Sequence, residues 1–393
     1  MAATDIVILA GARTAIGTFG GSLAAIPPID LAATVTTAAL DRAGIAPERI
    51  GSVVFGHVIN TEPRDMYLSR VAMLKAGIPD TTPAMNVNRL CGSGAQAIVS
   101  AAQALMPGDA EFAVAGGAES MSRAPYAVPQ ARFGVKMGDA GMLDMMTGAL
   151  TCPMGSGHMG VTAENVAAEH GITREAQDAF ALESQNRAAR AIAEGRFRDQ
   201  IVPVEVKTRK GMVAFDTDEH PKETSAEKLA GLRAAFRKDG SVTAGNASGI
   251  NDGAAALVLA REDAARAQGL TPRFRILGYA HAGVRPEVMG IGPVPAVRRL
   301  LERTGLSAAD FDVIESNEAF AAQALAVNEE LGLDPAKVNP NGGAIALGHP
   351  VGATGAIVTV KAMYELDRIG GRRALITMCI GGGQGIALAI ERL

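Results

Sequence analysis

The sequence predicts an α/β protein built from two similar halves. Three observations carry that prediction: a segment beginning at Leu40 that recurs at Leu301, short apolar strands alternating with alanine-rich helices, and a composition dominated by small aliphatic residues. Laying Leu40-Asp41-Arg42-Ala43-Gly44-Ile45 over Leu301-Glu302-Arg303-Thr304-Gly305-Leu306 matches Leu, Arg and Gly. The same displacement sets Ile50 on Phe311, Val53 on Ile314, and Cys91-Gly92-Ser93-Gly94-Ala95 on Gly352-Ala353-Thr354-Gly355-Ala356. One frame that serves separated segments implies a duplicated unit.

In the first copy the pattern predicts a helix over 31–43, a strand over 53–55, a helix over 91–105 and a strand over 112–115. In the second it predicts a helix over 297–304, a strand over 313–315, a helix over 352–368 and a strand over 374–378. Short apolar strands alternating with helices predict parallel sheets covered by helices. A duplication places the glycine turns of both copies at equivalent sheet ends, so Cys91, His349 and Cys379 are expected to converge where the halves meet.

At 393 residues the chain exceeds one ordinary core, and 48% hydrophobic residues with 46 glycines and no Trp suit aliphatic layers packed closely. That composition excludes a disordered protein. A net charge of −4 and a pI near 5.9 argue against a nucleic-acid binder. The apolar run Ile6–Ala10 is too short for a secretory signal, and no 18-residue apolar run occurs. The expectation is a cytoplasmic protein without membrane contact. Three widely separated cysteines give neither a disulfide framework nor zinc spacing.

Between the copies the pattern breaks. Seven of the sixteen methionines fall between Met121 and Met159, as flexible apolar filler or as a ligand groove. Thr173 is a plausible N-cap for an amphipathic helix running to about Glu194. Lys207, Arg209, Lys210, Lys222, Lys228, Arg233, Arg237 and Lys238 are interspersed with acids and read as solvated surface, with a few left to meet a phosphorylated ligand.

The chemistry concentrates at three positions. Cys91 sits where Asn88-Arg89-Leu90-Cys91-Gly92-Ser93-Gly94 opens a helix, and the positive end of a helix dipole lowers a thiol pKa. A single cysteine is ordinarily a small buried hydrophobe. His349, in Gly348-His349-Pro350-Val351-Gly352, supplies the base that a cysteine nucleophile needs, and Cys379 ends an apolar strand in a glycine turn.

Six segments resemble the signatures of the thiolase family, in family order. They are Val87 to Gly94, Gly116-Gly117-Ala118-Glu119-Ser120-Met121-Ser122, Asn246-Ala247-Ser248-Gly249-Ile250-Asn251-Asp252-Gly253, Asn317-Glu318-Ala319-Phe320-Ala321, Asn339-Pro340-Asn341-Gly342-Gly343 with Gly348-His349-Pro350, and Cys379-Ile380-Gly381-Gly382-Gly383. The chain is most similar to bacterial biosynthetic members, the β-ketothiolase or acetyl-CoA acetyltransferase type that accepts acyl chains longer than acetyl. The resemblance implies a thiolase fold, with two pseudo-symmetric βαβαβαββ halves of five strands each, in five layers with an inserted loop domain. The halves would be 1–119 plus 250–271 and 272–393, with the insertion at 120–249 serving coenzyme A binding and oligomer contacts. It also implies a homotetramer, a dimer of dimers. No cofactor or metal is expected, since the acyl-CoA and acetyl-CoA thioesters are themselves the substrates.

The implied reaction is a reversible Claisen condensation of two acyl-CoA molecules to a 3-ketoacyl-CoA plus CoA, in fatty acid metabolism or polyhydroxyalkanoate biosynthesis. Such a reaction needs two groups that change protonation state and stabilisation for two oxyanions. By resemblance Cys91 is the acylated nucleophile, His349 its base, and Cys379 the acid/base for the second substrate. His349 with a water held by Asn317 forms one oxyanion site; the backbone N–H groups of Cys91 and Gly381 form the other. His158 and Ser248 fall to the pantetheine with Ala319 nearby, Phe236 to the adenine, and Leu150, Met159, Met289 and Phe320 to the acyl pocket. Lys222 stands near a position where some relatives carry an arginine against the nucleotide. Cys152 matches no motif and is expected to be structural or at the surface. The rival readings are a β-ketoacyl synthase-like condensing enzyme, against which Cys379 argues, a cysteine hydrolase, and a catalytically silent acyl-CoA or lipid carrier.

Overall fold

In the computed structural model, which describes residues 5–209 and 211–393, the duplicated frame becomes a layered architecture. Lys210 and Met1–Thr4 lie outside the described residues. The two copies match element for element: the helix Pro28–Ala43 with Pro293–Thr304, the strand Ser52–Gly56 with Val313–Ser316, the helix Ser93–Leu105 with Thr354–Ile369, and the strand Phe112–Ser120 with Arg373–Ile380. Proline in the first turn of both Pro28–Ala43 and Pro293–Thr304 presets the helical φ where no N–H is required.

The expectation of parallel sheets is corrected. Ser52–Gly56 pairs in parallel with Ala84–Val87 and Phe112–Ser120, and Val313–Ser316 with Arg373–Ile380. The remaining pairs are antiparallel, and in the first half the closing strand Asn251–Arg261 returns only after the insertion and its helices. In the second half Arg373–Ile380 turns straight back into Gln384–Arg392 through Gly381–Gly383. Asn251–Arg261, which follows the insertion, lies between Phe112–Ser120 and Ile6–Arg13. The half-sheets join edge to edge where Val7 and Ile8 meet Arg275 and Phe274. Along the sheet five strands stand on the first side of that join, with the short Gly17–Thr18 paired off the path to Asn251–Arg261, and four on the second, where the fifth position holds only an isolated bridge between Ile314 and Val338.

Three cores fill the layers. Pro28–Ala43 packs through Leu31, Val35 and Ala39 on the outer face of the first half-sheet, and Val297 and Leu300 of Pro293–Thr304 cover the second. Between the half-sheets, the helices Ser93–Leu105 and Thr354–Ile369 share one core that includes Ile98, Ala101, Ile357 and Met363. The order is therefore helix, sheet, helices, sheet, helix. The two central helices meet almost backbone to backbone. A Cβ on Gly355 would strike Ala95 N, and one on Gly94 would lie 2.6 Å from Ala356 N.

The insertion is tied to both halves. Thr173 caps the helix Arg174–Ala193 by accepting from Ala176 N at 3.2 Å, as its sequence predicts. Buried Arg13, at the end of the first strand, donates to both carboxylate oxygens of Asp218 at 2.7 and 2.9 Å. The methionine-rich stretch splits in a way the filler reading does not anticipate. Met121 and Met159 are buried, whereas Met137 is 96% and Met142 67% exposed.

The helix contact yields a stability prediction. Gly355→Ala must push the helices apart and should lower stability by about 1–3 kcal/mol or more, read as a fall in thermal midpoint. Gly148→Ala, in the short helix Met145–Ala149 with open space at its Cα, is the control and should be neutral or slightly stabilising.

Candidate active site

The loop before Ser93–Leu105 is shaped by its own polar groups. Ser93 Oγ accepts from Arg89 N at 2.9 Å and donates to Leu90 O at 2.7 Å, while Leu90 takes a left-handed φ of 46°. Cys91 is held at the crest of this turn, two residues before the helix begins. The N–H groups of Gly381 and of Cys91 itself both lie close enough to the Cys91 thiol to favour its thiolate.

His349 is positioned from the other half of the chain. Asn251, at the start of a first-half strand, accepts from His349 N at 2.9 Å and donates to Gly17 O at 2.9 Å. Gly348, with φ of 106°, lies so close to the Asn251 side chain that a Cβ there would overlap it. The His349 ring is buried, its Nδ1 lies 2.7 Å from Thr354 Oγ1, and its Nε2 has no protein partner.

Cys379 sits near the end of Arg373–Ile380, fully buried in a cluster with Met159, Met289, Ala319 and Phe320. Asn317 follows the neighbouring strand and donates its backbone N–H to Thr377 O at 3.0 Å. Both polar atoms of its side chain are buried without a protein partner. The segment Asn246–Ser248 is pinned against Ala319–Ala321 by Ser248 N to Ala319 O at 3.0 Å and Ala321 N to Asn246 O at 2.8 Å. Two motifs that begin 71 residues apart, at Asn246 and Asn317, thus meet as adjoining backbone.

These pieces surround a pocket of about 530 Å³. Cys91 and His349 open onto it, as do Leu150, Met159, Met289 and Phe320, and also His158, Phe236, Ser248 and Lys222. Cys379 and Ala319 lie behind that wall in the Met159 cluster rather than on the open surface. Gly381 borders it, since a Cβ there would come 3.3 Å from Met159 Sδ. Phe236 is stacked on His158 with ring centroids 4.8 Å apart, and its edge faces Phe320 at 6.2 Å. His158 Nδ1 accepts from Gly160 N at 3.1 Å, so the proton of the neutral ring is on Nε2. Cys152 is buried in the same cluster as Cys379.

The electrostatics correct one expectation. Burial pushes the Cys91 thiol above its ordinary range, with the Glu119 carboxylate adding to the rise. The two N–H groups pull the other way and do not overcome it. The helix-start argument is outweighed because desolvation at the foot of the pocket disfavours the thiolate more than the nearby N–H groups favour it. Cys379 is also raised, by burial and then by the nearby Cys91. Burial lowers His349 to about 4.

The family models supply the decisive comparison: the thiolase N-terminal domain matches residues 6–263 and the thiolase C-terminal domain residues 270–392. The chain belongs to the thiolase family. Among thiolases it is similar to Beta-ketothiolase BktB of Cupriavidus necator, at 60% identity with 99% of each chain covered. It is also 54% identical to an acetyl-CoA acetyltransferase of Chromobacterium violaceum, over 99% of this chain and 100% of the relative. Of solved thiolase structures, the Bacillus anthracis acetyl-CoA acetyltransferase superposes with a TM-score of 0.97 at 49% identity, covering 100% and 99% of the two chains. The human mitochondrial 3-ketoacyl-CoA thiolase in complex with CoA does so at 0.96 and 45%, covering 99% and 98%.

Several groups at this thiolase site escaped the sequence reading. His220 lines the pocket and is lowered to about 4 by burial and then by Lys222. Glu119 is buried below the Cys91 loop, accepting from Val58 N, Ile59 N and Gly352 N at 2.9–3.1 Å with His57 Nδ1 3.3 Å away. Glu119 lies within a quoted motif, which was the available signal; nothing in sequence marks His220. Among the described residues no cluster of metal ligands occurs, and no helix is long and apolar enough to cross a membrane.

A raised thiol beside a depressed imidazole means that the resting pair is neutral, not a thiolate and imidazolium. His349 stays unprotonated at every pH above about 4, so it contributes no inflection near 6.5. Alkylation of Cys91 by iodoacetamide, followed by peptide mass spectrometry, should keep accelerating through pH 9. A rate that is already flat at pH 7 would show an ion pair instead.

Proposed function

We propose that the pocket carries out the thiolase reaction, reversible Claisen condensation of two acyl-CoA molecules to a 3-ketoacyl-CoA and CoA through an acyl-cysteine. The observation that carries this reading is that Cys91 and His349 line one pocket, with His349 Nε2 buried without a protein partner and Cys379 behind the wall. In this reading Cys91 Sγ attacks the first thioester carbonyl while its proton passes to His349 Nε2. CoA then leaves as a thiolate that takes the Cys379 proton, so His349 keeps its new proton on Nε2 and Cys379 becomes the thiolate. The N–H groups of Cys91 and Gly381, already close to the sulfur, are the donors for the tetrahedral oxyanion.

The second half-reaction removes a proton next to a thioester, which is weakly acidic and calls for a strong base. Burial that raises the Cys379 thiol makes its thiolate such a base. The enolate oxygen is assigned to His349 and to a water held by Asn317, whose buried and unpartnered amide supports that role. The enolate carbon then attacks the acyl-Cys91 carbonyl to give a second tetrahedral intermediate, which collapses by breaking the C–S bond, and the Cys91 thiolate that leaves recovers its proton from His349. A silent carrier would have no use for three such groups in one place.

For coenzyme A we assign Ser248, Ala319 and the Nε2–H of His158 to the pantetheine arm, and Lys222 to the nucleotide end. Phe236, expected against the adenine, is moved in this reading to the pantetheine, because His158 covers one face and its edge meets Phe320 of the acyl wall. CoA thioesters are the only reactants required, and no cofactor enters. A homotetramer is supported by the exposed apolar side chains of Tyr126, Phe133, Met137 and Met142, which lie close together in the chain. The proposed setting is cytoplasmic, in fatty acid metabolism or polyhydroxyalkanoate biosynthesis.

Two outcomes test this function. Incubation with acetyl-CoA should place an acetyl group on Cys91 in the wild type and in Cys379→Ser, while Cys379→Ser loses condensation and thiolysis by about 10²–10⁴-fold. Acetylation at Cys152, or turnover surviving in Cys91→Ala, would refute it. The acyl wall, with two methionines that shift rotamer at low cost, should accept one methylene more than acetoacetyl-CoA. Steady-state thiolysis of 3-ketovaleryl-CoA is expected to equal or exceed that of acetoacetyl-CoA by up to roughly fourfold, the worth of about 0.8 kcal/mol for a buried methylene. A hundredfold preference for acetoacetyl-CoA would mean a closed pocket.

A further inference from the structure

Thr354 is a residue that the proposed chemistry has not used. Its hydroxyl lies in the first turn of the Thr354–Ile369 helix, fully enclosed, between Pro350 O at 2.9 Å and His349 Nδ1 at 2.7 Å. A hydroxyl has one proton to give. Pro350 O also accepts from Ala353 N at 2.9 Å and Thr354 N at 3.0 Å, but two oxygens 2.9 Å apart call for a proton between them, so the Thr354 proton is placed there and the contact with His349 is made by a proton on Nδ1. The neutral imidazole has just one N–H. Its lone pair is thereby fixed on Nε2, the atom buried without a protein partner in a ring that lines the pocket with Cys91.

We propose that Thr354 is a positioning residue that sets the tautomer and orientation of His349, so that Nε2 is held as a proton acceptor facing the Cys91 side of the pocket. This inference rests on the thiolase reading for its consequence in catalysis, but not for the tautomer itself. The duplicated frame gives it a second support. Thr354 occupies the repeat position of Ser93, and the two hydroxyls act alike. Ser93 Oγ donates to the carbonyl of Leu90 and accepts from Arg89 N, fixing the loop that carries Cys91. Thr354 Oγ1 donates to the carbonyl of Pro350 and accepts from His349. In one half the second bond secures a backbone turn; in the other it secures a ring. Burial, which keeps His349 neutral at physiological pH, makes the choice of tautomer matter, since an imidazolium would offer no acceptor at either nitrogen.

The direct test is long-range ¹H–¹⁵N correlation on holo-length protein labelled with [¹⁵N]histidine, with His349→Asn used to assign its signal among the six histidines. The wild type should show a protonated Nδ1 and a bare Nε2 for His349 at pH 7–8. A protonated Nε2 would overturn the inference even if Cys91 is acylated normally. The kinetic test compares Thr354→Val, which keeps the shape and removes the hydroxyl, with Thr354→Ser, which restores it. Thr354→Val should lower kcat for thiolysis and the rate of Cys91 acetylation by roughly 10–100-fold with KM changed less than about threefold, because positioning a base accounts for only part of what the base supplies. Thr354→Ser should recover most of that rate. Loss in both variants with an unchanged His349 tautomer would reduce Thr354 to packing. Loss of the reaction from Cys91→Ala is a separate matter, so failure of the catalytic reading and failure of this inference are told apart.

Discussion

Everything at this site depends on how closely two helices can approach. Gly94 and Gly355, equivalent by the duplication, let the helices Ser93–Leu105 and Thr354–Ile369 meet at backbone distance. Cys91 stands three residues before the first of these glycines and His349 six before the second. A wider helix spacing would carry nucleophile and base apart by the same amount, and proton transfer tolerates little such error. The contact is made without side chains. It therefore has no rotamers to adjust, and any Cβ added there must move a helix.

Buried polar groups complete what the helices begin. Asn251 reaches from the first half to hold the backbone of His349, and Glu119 reaches from the same half to hold Gly352, at the foot of the same loop. Glu318, beside Asn317, accepts from Ser184, Asn339 and Ile345 N, which fixes the motif against the insertion helix. Each satisfied network gives a direction as well as an attraction, and an apolar replacement would fill the space without specifying which way the catalytic loops point.

Much of this was legible in the chain. The repeat placed four matched pairs of elements to within a few residues of their observed ends, because apolar periodicity and the proline and glycine stops are local signals. The eight residues assigned to coenzyme A and the acyl chain that line the pocket, among them Leu150 and His158, came from motif resemblance. Apolar periodicity could not yield sheet direction in the closing strands; only the family resemblance, through the paired strands that end each βαβαβαββ half, carried it. The thiol of Cys91 was misjudged for a related reason. A helix start is visible in sequence, but the depth of burial that outweighs it is a property of the assembled halves. Thr354 and His220 were missed because one acts through a five-residue loop and the other reaches the pocket from a segment with no motif at all.

The duplication also carries a consequence for how many reactions one chain can run. A pair of related halves facing each other offers two equivalent corners, and the frame that places Thr354 on Ser93 also sets Gly352 on Cys91 and Asn88 on His349. The opposite corner therefore holds a glycine where a nucleophile would be, and the matching asparagine has no basic nitrogen. Asn88 spends its side chain on the turn instead, accepting from Leu90 N at 3.0 Å. The symmetry of the scaffold is kept while that of the chemistry is broken, so the same close-packed helices serve one reaction centre per chain, and the second corner is left to build the loop on which the first depends.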